Sequence, residues 1–415
     1  MTAGSAPGTP IADGSLTTVE AYQSAILAAV TPLPPASLEL ADAEGCVLAE
    51  DVTAAVSLPS FDNSSMDGYA VQASDTSNSS ERTPATLRVT AEIAAGDTGV
   101  YRLVPGTAIK IMTGAQMPAG ADAVVPVEWT DGGIAQVAIY RPAAPGNAVR
   151  YAGGDAREGE TLLSAGARMR PMQIAVAASA GRKMVKVRPR PRVVVLSTGD
   201  ELTEPGTPLV PGRIWDSNSY MIAAAAREAG ALAYRRSMVP DDPVGMLPAL
   251  QEQLIRADLL ITTGGVSMGG EHDVVKAALR ELGTVTFRKV AMQPGMPQGF
   301  GTIGEHGVPI FTLPGNPVSA YVSFQLFVRP AIAALQAIDD LRLPTVRATL
   351  TDAVRSPEGR RSYLRGVLNG GQVAPLSGQG SHQIAALGRA NALIIVPEQL
   401  TRLPQGDTVD VVVLP

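Results

Sequence analysis

Apolar residues recur along this chain with different spacings, and each spacing predicts a different kind of element. Over residues 17–30, "TTVEAYQSAILAAV", they fall three and four apart. This predicts a helix capped by Thr17 or Thr18, with Glu20 in its first turn. Between 58 and 148 the pattern breaks into short β-rich runs, "TLRVTAEI", "AIKIM", "AVVPVEW" and "QVAIY", punctuated by Gly and Pro. That texture predicts an antiparallel β domain. Helical spacing returns over 170–181, "RPMQIAVAASAG", where Pro171 suits the first helical position and Gly181 the residue after the last. This second helix is expected to pack back on the first, so that 16–57 and 149–187 make one small helical-rich domain that 58–148 interrupts.

Residues 188–336 have another texture. The runs "RVVVLSTGD", "LAYRRSMV", "DLLITTGG", "TVTFRKV" and "PIFTL" read as buried strands. Between them lie helical stretches: "SNSYMIAAAAREAG", one ending near Arg256 whose start Pro248 leaves open, "DVVKAALREL", and a long helix from Asn316. Alternating buried strands and helices predict a doubly wound parallel α/β sheet. "DDLRLPT" reads as a linker, and 337–415 returns to short strands and turns, a small barrel or sandwich. The fold class is therefore multi-domain α/β plus β, with a C-terminal β-barrel domain. Residues 1–15, rich in Gly, Pro, Ser and Thr, lack the basic and apolar regions of a signal peptide and are expected to form a disordered arm.

Composition narrows the function classes. A net charge of −6 argues against nonspecific nucleic-acid or anionic-membrane binding, and the sequence reads as having no apolar run of the ~20 residues that cross a bilayer. One cysteine, Cys46 in "EGCVLAED", excludes an intrachain disulfide and a Cys-rich zinc site, and makes a reducing cytoplasm the expected location.

The chemistry should lie beyond the carboxyl ends of the central strands, where doubly wound sheets bind ligands. Three turns leave those ends: "STGDE" (197–201), "TTGGVSMGGEHD" (262–273) and "LPGNPVS" (313–319). Glycine there lets backbone N–H groups face an anion, and the following helix N-terminus adds partial positive charge. Neither the Gly-Lys-Ser/Thr of a P-loop nor a G-x-G-x-x-G is present. Loop geometry and capping account for any one such turn; three on one edge point to a phosphoryl site. Asp200, Glu201, Asp216 and Asp273 share that edge. Asp216 and Asp273 read equally well as helix caps, whereas Glu201 caps nothing. Carboxylates ~4 Å apart repel by roughly 4 kcal/mol at an effective dielectric near 20. A divalent cation would offset this, and oxygen ligands beside phosphate suit Mg²⁺. "SFDNSSMDGYA" (60–70) and "AGGDARE" (152–158) are two further loops of acids and glycine, each also readable as a plain turn.

Taken together, "FDNSSMDGYAV", "IKIMTGAQMPAGADAVV", "STGDEL", "GRIWDSNSYM", "TTGGVSMGGEHD" and "LPGNPVSA" resemble, in order, the motifs of the molybdopterin molybdenumtransferase family, known as MoeA in bacteria and as the gephyrin E domain in animals. The resemblance runs from about Thr17 to the C-terminus. It implies a four-part subunit in a homodimer, with a central domain similar to molybdopterin adenylyltransferase. The implied reaction takes adenylylated molybdopterin and molybdate, with Mg²⁺, to molybdenum cofactor and AMP. On matching positions it makes Asp67, Asp155, Glu201, Asp216 and Asp273 the catalytic acids, with Glu201 and Asp273 also at the metal and Asp67 acting in trans. It places Thr113, Ser197, Gly199, Gly264, Gly265, Ser267 and Lys289 on the substrate, together with Pro314, Gly315, Asn316 and Pro317. Arg360 and Ser381 would meet the oxyanion. Where the family pattern reads K-P-G-K-P, this chain has "QPGMP", with Gln293 and Met296, and its 267–273 loop is one residue longer. The resemblance carries an alternative as well. Gephyrin's E domain holds partner peptides in a groove between its α/β and C-terminal domains, and some bacterial relatives dock the tail of the division protein FtsZ. Tyr321, Phe324 and Phe327 would serve such a groove here, although their helical spacing reads as core.

Overall fold

The computed structural model describes residues 16–239, 243–264, 279, 282–338 and 343–415. The expected arm and most of the helix expected over 273–282 lie outside the described residues. The chain divides into two compact units, one of residues up to Ala36 with Gly45–Val47 and Arg188–Pro415, the other of Ser37–Glu44 and Leu48–Val187.

Helix α1 (Val19–Ala29) starts where the Thr18 side chain accepts the Ala21 N–H at 3.2 Å, and it buries Val19, Tyr22 and Ile26. These residues belong to the core of the first unit, where Tyr22 meets the Phe327 ring edge-on at 4.9 Å. Helix α2 (Pro171–Ser179) has its expected N-terminal proline but buries only Ala177, and packs within the second unit against strand Thr161–Leu163 and the turn Leu40–Asp42. The expected pairing of α1 with α2 is not what places either helix: α1 packs within the first unit, on the helix Pro317–Leu335.

The second unit is organised by a five-stranded sheet of β1 (Gly68–Val71), β2 (Ala85–Ile93), β3 (Thr107–Ile111), β4 (Ala123–Pro126) and β5 (Gln136–Ile139), in the order β4-β1-β3-β2-β5. Its pairings are antiparallel as expected, apart from β2 with β3, which run parallel through the long connection 94–106.

The first unit holds a six-stranded sheet of β6 (Arg192–Thr198), β7 (Leu232–Val239), β8 (Leu259–Thr263), β9 (Thr286–Lys289), β10 (Pro297–Ile303) and β11 (Val308–Leu313), ordered β7-β6-β8-β11-β10-β9. The strands β7, β6, β8 and β11 are parallel; β10 returns antiparallel beside β11, with β9 antiparallel to it. The sheet is therefore mixed rather than wholly parallel. Strand β10, "PQGFGTI", escapes a hydrophobic reading because proline and glycine interrupt its apolar residues. Val193 and Val195 face a core that includes Ile222 of α3 (Asn218–Glu228) and Phe327, while Val194 and Leu196 face Leu250 of α4 (Pro243–Leu254). Burial on both faces is why "VVVL" shows no alternation. Pro248 lies inside α4, whose start is Pro243.

Helix α5 (Pro317–Leu335) is 19 residues long and apolar enough to cross a bilayer, but 78 % of it is buried inside the protein. The expectation of no such run is corrected: this one exists as a core helix. Phe324 and Phe327 are 0 % and 1 % exposed, which removes them from any surface groove. A π-turn at Phe324–Val328 accompanies a carbonyl, that of Leu326, which accepts from the Gln23 amide at 3.0 Å.

The C-terminal strands β12 (Thr345–Leu350), β13 (Arg361–Asn369), β14 (Gln372–Pro375), β15 (Ala392–Val396) and β16 (Thr408–Val413) close into a barrel, β13-β14-β12-β16-β15 and back to β13. The barrel is joined to the α/β domain by strand pairing of Met292–Gln293 with Arg361–Ser362. Arg361 also sits between Glu398, at 3.0 and 3.2 Å, and Glu20 of α1.

Tyr22 contributes its ring to the core, whereas its hydroxyl is buried with no hydrogen-bond partner among the described residues. Tyr22→Phe is therefore expected to leave stability unchanged or raise it by about 1 kcal/mol. Phe327→Ala, at the other half of the contact, is expected to cost about 3–5 kcal/mol. Urea unfolding of the two variants checks both.

Candidate active site

The strand order places a topological switch point between β6 and β8, since the chain leaves β6 for β7 on one side and returns to β8 on the other. Ser197 of β6 is level with Thr263 of β8, and Thr263 with Leu313 of β11, so the three expected turns emerge side by side. Gly199 and Gly264 have φ of +146° and +97°. A Cβ at Gly264 would lie 2.6 Å from the Thr198 carbonyl, and one at Gly199 would lie 2.5 Å from the Glu201 carboxylate, which folds back over it. Glycine is thus favoured at both positions by conformation, and at Gly264 it is required by space as well, because the obstacle there is backbone. Gly315 approaches Gly264, and the Asn218 amide donates to the Gly315 carbonyl at 2.6 Å, tying the N-terminus of α3 to the third turn.

The walls of this crevice are polar. The Ser197 and Thr263 hydroxyls are 3.3 Å apart. Those of Thr198, Thr262 and Thr312 are buried without a partner among the described residues, as is the Asn218 side-chain oxygen. Buried polar atoms are normally paired, so this cluster of orphans marks an edge suited to an oxygen-rich ligand. Gly265, Ser267 and Asp273 lie outside the described residues.

The acids divide by environment. Asp200 and Glu201 are exposed. Asp216 is 1 % exposed and occupied: one oxygen accepts the Ser219 N–H at 3.1 Å, the other the Ser219 hydroxyl at 2.5 Å, with an Arg235 guanidinium nitrogen at 3.8 Å. Of the two readings left open for Asp216, the geometry displays the cap. Arg235 also pairs with Glu204 at 3.1 Å and lies 3.4 Å over the Tyr220 ring. Hydrogen bonds from Arg235 and then Tyr220 hold the Glu204 carboxyl below its usual range. Sequence reasoning missed Arg235, Glu204 and Tyr220. Its one signal was the pair of arginines interrupting the strand "LAYRRSMV".

Strand β9 runs parallel to β11 by two antiparallel steps, so the exposed Lys289 at its end reaches the same carboxyl edge. Pro297, its register partner, begins β10, and "QPGMP" therefore rims the crevice. Arg360 is half-buried and donates to the Gln293 side chain at 3.4 Å. Pro314 is buried, and Asn316 precedes Pro317 at the start of α5 without a side-chain cap. The Val318 N–H is satisfied instead by the Ser381 carbonyl at 3.1 Å. The loop bearing Ser381 is held by Arg365, which is only 1 % exposed. Its guanidinium donates to the carbonyls of Gly378 and, at 3.2 Å, Gly380, while its backbone N–H and carbonyl bond the Gln379 side chain at 3.0 and 2.9 Å. Burial pushes this guanidinium below its usual value. Arg365 was overlooked because Arg360 in the same motif drew attention first.

On the second unit, Asp67 and Thr113 come together through their loops, and Asp155 lies on a loop tied to the segment that leads to Asp67. One Asp67 oxygen accepts the Thr113 N–H at 2.7 Å and its hydroxyl at 2.8 Å. These bonds, the backbone one foremost, hold the Asp67 carboxyl below its usual value. Segment 58–67 is laced to both neighbours: Gly114 N–H donates to the Ser64 carbonyl at 2.8 Å, Ala152 N–H to the Asp62 carboxylate at 2.7 Å, and Asp155 N–H to the Leu58 carbonyl at 2.9 Å. Asp155 itself is exposed.

Two outcomes are expected. Thr113→Val should raise the carboxyl titration of Asp67 toward the ordinary value of about 3.9, read by carbon NMR. Because the folded-state value is the lower one, Asp67 adds stability above about pH 4 and loses it as pH falls through the folded value. The stability gap between wild type and Asp67→Asn should therefore close on acidification. Arg235→Met strands the buried Asp216 carboxylate and should cost about 3–5 kcal/mol in urea unfolding, most of it recovered when Asp216→Asn is added.

Three family models match the chain: MoeA N-terminal region (domain I and II) over residues 17–181, probable molybdopterin binding domain over 194–334, and MoeA C-terminal region (domain IV) over 347–414. Molybdopterin molybdenumtransferase 2 of Mycobacterium tuberculosis is 43 % identical over 401 residues, covering 95 % of this chain and 98 % of that protein. The molybdopterin molybdenumtransferase of Bacillus subtilis is 36 % identical over 377 residues, covering 88 % and 87 %. The crystal structure of a molybdopterin biosynthesis MoeA protein from Pyrococcus horikoshii superposes with a TM-score of 0.79 at 30 % identity, over 96 % of this chain and 99 % of that one. With these matches spanning its length, the chain belongs to the molybdopterin molybdenumtransferase (MoeA) family.

Proposed function

We propose that this protein completes molybdenum cofactor by Mg²⁺-dependent insertion of molybdate into adenylylated molybdopterin with release of AMP, acting as a cytoplasmic homodimer. The observation that carries this reading is the convergence of three glycine turns at the switch point, with the Glu201 carboxylate folded over Gly199. Without Cβ atoms at Gly199 and Gly264, substrate phosphoryl oxygens can approach the backbone, and the hydroxyls of Thr198, Thr262 and Thr312, which have no partner among the described residues, offer further donors. Lys289 and Arg360 bring positive charge to the rim, and Ser381 lies on the loop that abuts the start of α5. Gln293 and Met296 hold rim positions without adding charge.

The residues present fit Mg²⁺ of the substrate-bridged kind. Among the described residues there is no cluster of three His, Cys, Asp or Glu side chains, but Mg²⁺ beside phosphates uses one or two carboxylates plus substrate oxygens. Glu201 would supply one, with Asp273 as the second assigned ligand. The ion's contribution is to neutralise charge on the phosphoanhydride whose cleavage frees AMP. Asp67 supplies a carboxylate that Thr113 keeps ionised, and Asp155 an exposed one. Asp216 supports the site from beneath by capping α3.

The test is incubation with adenylylated molybdopterin, molybdate and Mg²⁺, with AMP quantified over time. AMP release is expected from wild type, and Glu201→Gln or Asp67→Asn should lower it about a hundredfold or more while circular dichroism is unchanged. Absence of AMP release from correctly folded protein would sink the proposal. Light scattering checks the dimer separately.

A further inference from the structure

A second place in the α/β domain has the makings of a ligand site. A cavity of about 430 Å³ opens where β6 and the outer strand β7 meet the end of α4, lined by Arg192, Val194, Tyr234, Arg236, Gln253 and Arg256. Its size falls within the range of small-molecule sites, ~300–1,000 Å³. Val194 is level with Tyr234, and Leu196 with Arg236, so these side chains share one face of the sheet. Alternation along β7 sends Arg235, with its Glu204 and Asp216 partners, to the opposite face.

The charges in this cavity are unequal. Arg192 is matched by Asp258 at 2.8 Å, but among the described residues Arg236 and Arg256 share one carboxylate, that of Glu252, at 3.0 and 3.3 Å. The Arg236 and Arg256 side chains are 47 % and 62 % exposed, so their pairs with Glu252 are weak and open to exchange. A phosphomonoester, with a charge of about −1.5 to −2 at neutral pH and three acceptor oxygens, matches two guanidiniums better than one carboxylate does. The second observation is independent of charge. Gln253 is 3 % exposed, and its amide nitrogen has no hydrogen-bond partner among the described residues. A buried donor left unpaired is unfavourable, and a ligand oxygen in the cavity would satisfy it. Tyr234, 54 % exposed although it lies on a strand, provides an aromatic wall.

We propose that this cavity binds a small phosphorylated molecule, with phosphoryl oxygens on Arg236, Arg256 and the Gln253 amide and the organic part against Tyr234. The site is distinct from the glycine turns and does not depend on the proposed reaction. The test is isothermal titration of the full chain with inorganic phosphate and with phenyl phosphate, an aryl phosphomonoester that the proposed reaction does not release. In the Glu201→Gln background, phosphate binding is expected to persist. Addition of Arg236→Gln and Arg256→Gln should weaken it at least tenfold, as should Gln253→Leu, which keeps every charge. Phenyl phosphate is expected to bind more tightly than inorganic phosphate, and Tyr234→Ala should remove that advantage. Unchanged phosphate binding in both the double arginine variant and Gln253→Leu would overturn the proposal.

Discussion

Burial of helix α5 is the constraint on which the first unit depends. It lies in one core with β6, β8 and β11 and with Tyr22 and Ile26 of α1. The N–H of Val318 in its first turn is satisfied by the barrel loop through the Ser381 carbonyl, and its π-turn is accompanied by the Gln23 bond to Leu326. Because the helix begins at Pro317, whatever fixes its axis also fixes the turn 313–317 beside Gly264. The crevice therefore has one wall whose position is set by hydrophobic packing well away from it.

Charge is handled in two ways around that framework. At the surface, carboxylates and guanidiniums pair in small groups, as Arg361 does with Glu20 and Glu398, linking α1 to the barrel. In the interior the partners are dipoles. Arg365 donates through its terminal guanidinium nitrogens to carbonyls of the loop it holds, while its Nε is buried without a partner among the described residues, so that loop is organised by a buried cation. Asp216 is intermediate, a buried carboxylate shared between a helix N-terminus and Arg235. Each arrangement spends its charge on positioning, which leaves Asp200, Glu201 and Lys289 among the exposed charges at the edge itself.

Much of the candidate site was legible because glycine after a buried strand has few explanations. Gly199 and Gly264 were recognisable from position alone, and the geometry adds the reason: a carbonyl and a carboxylate occupy the space of their missing Cβ atoms. The acids were less legible. A side chain at the start of a helix reads the same whether it caps or catalyses, and only its hydrogen bonds separated Asp216 from Glu201. Arg365 and Arg235 could not be ranked above their neighbours in sequence, since burial distinguishes them and burial is not local.

The sequence by itself determined the elements and their order, because strand and helix formation respond to the periodicity of apolar residues over a few turns. It determined the turns at the strand ends for the same reason, glycine being required by local backbone conformation. The partner of each element was decided only in the tertiary structure. Helix α1 packs on α5, β10 turns back to make the sheet mixed, and the Ser381 carbonyl caps the distant helix that begins at Pro317. Such choices depend on shape complementarity and on satisfying buried polar groups across long stretches of chain, which the pattern of neighbouring residues does not encode.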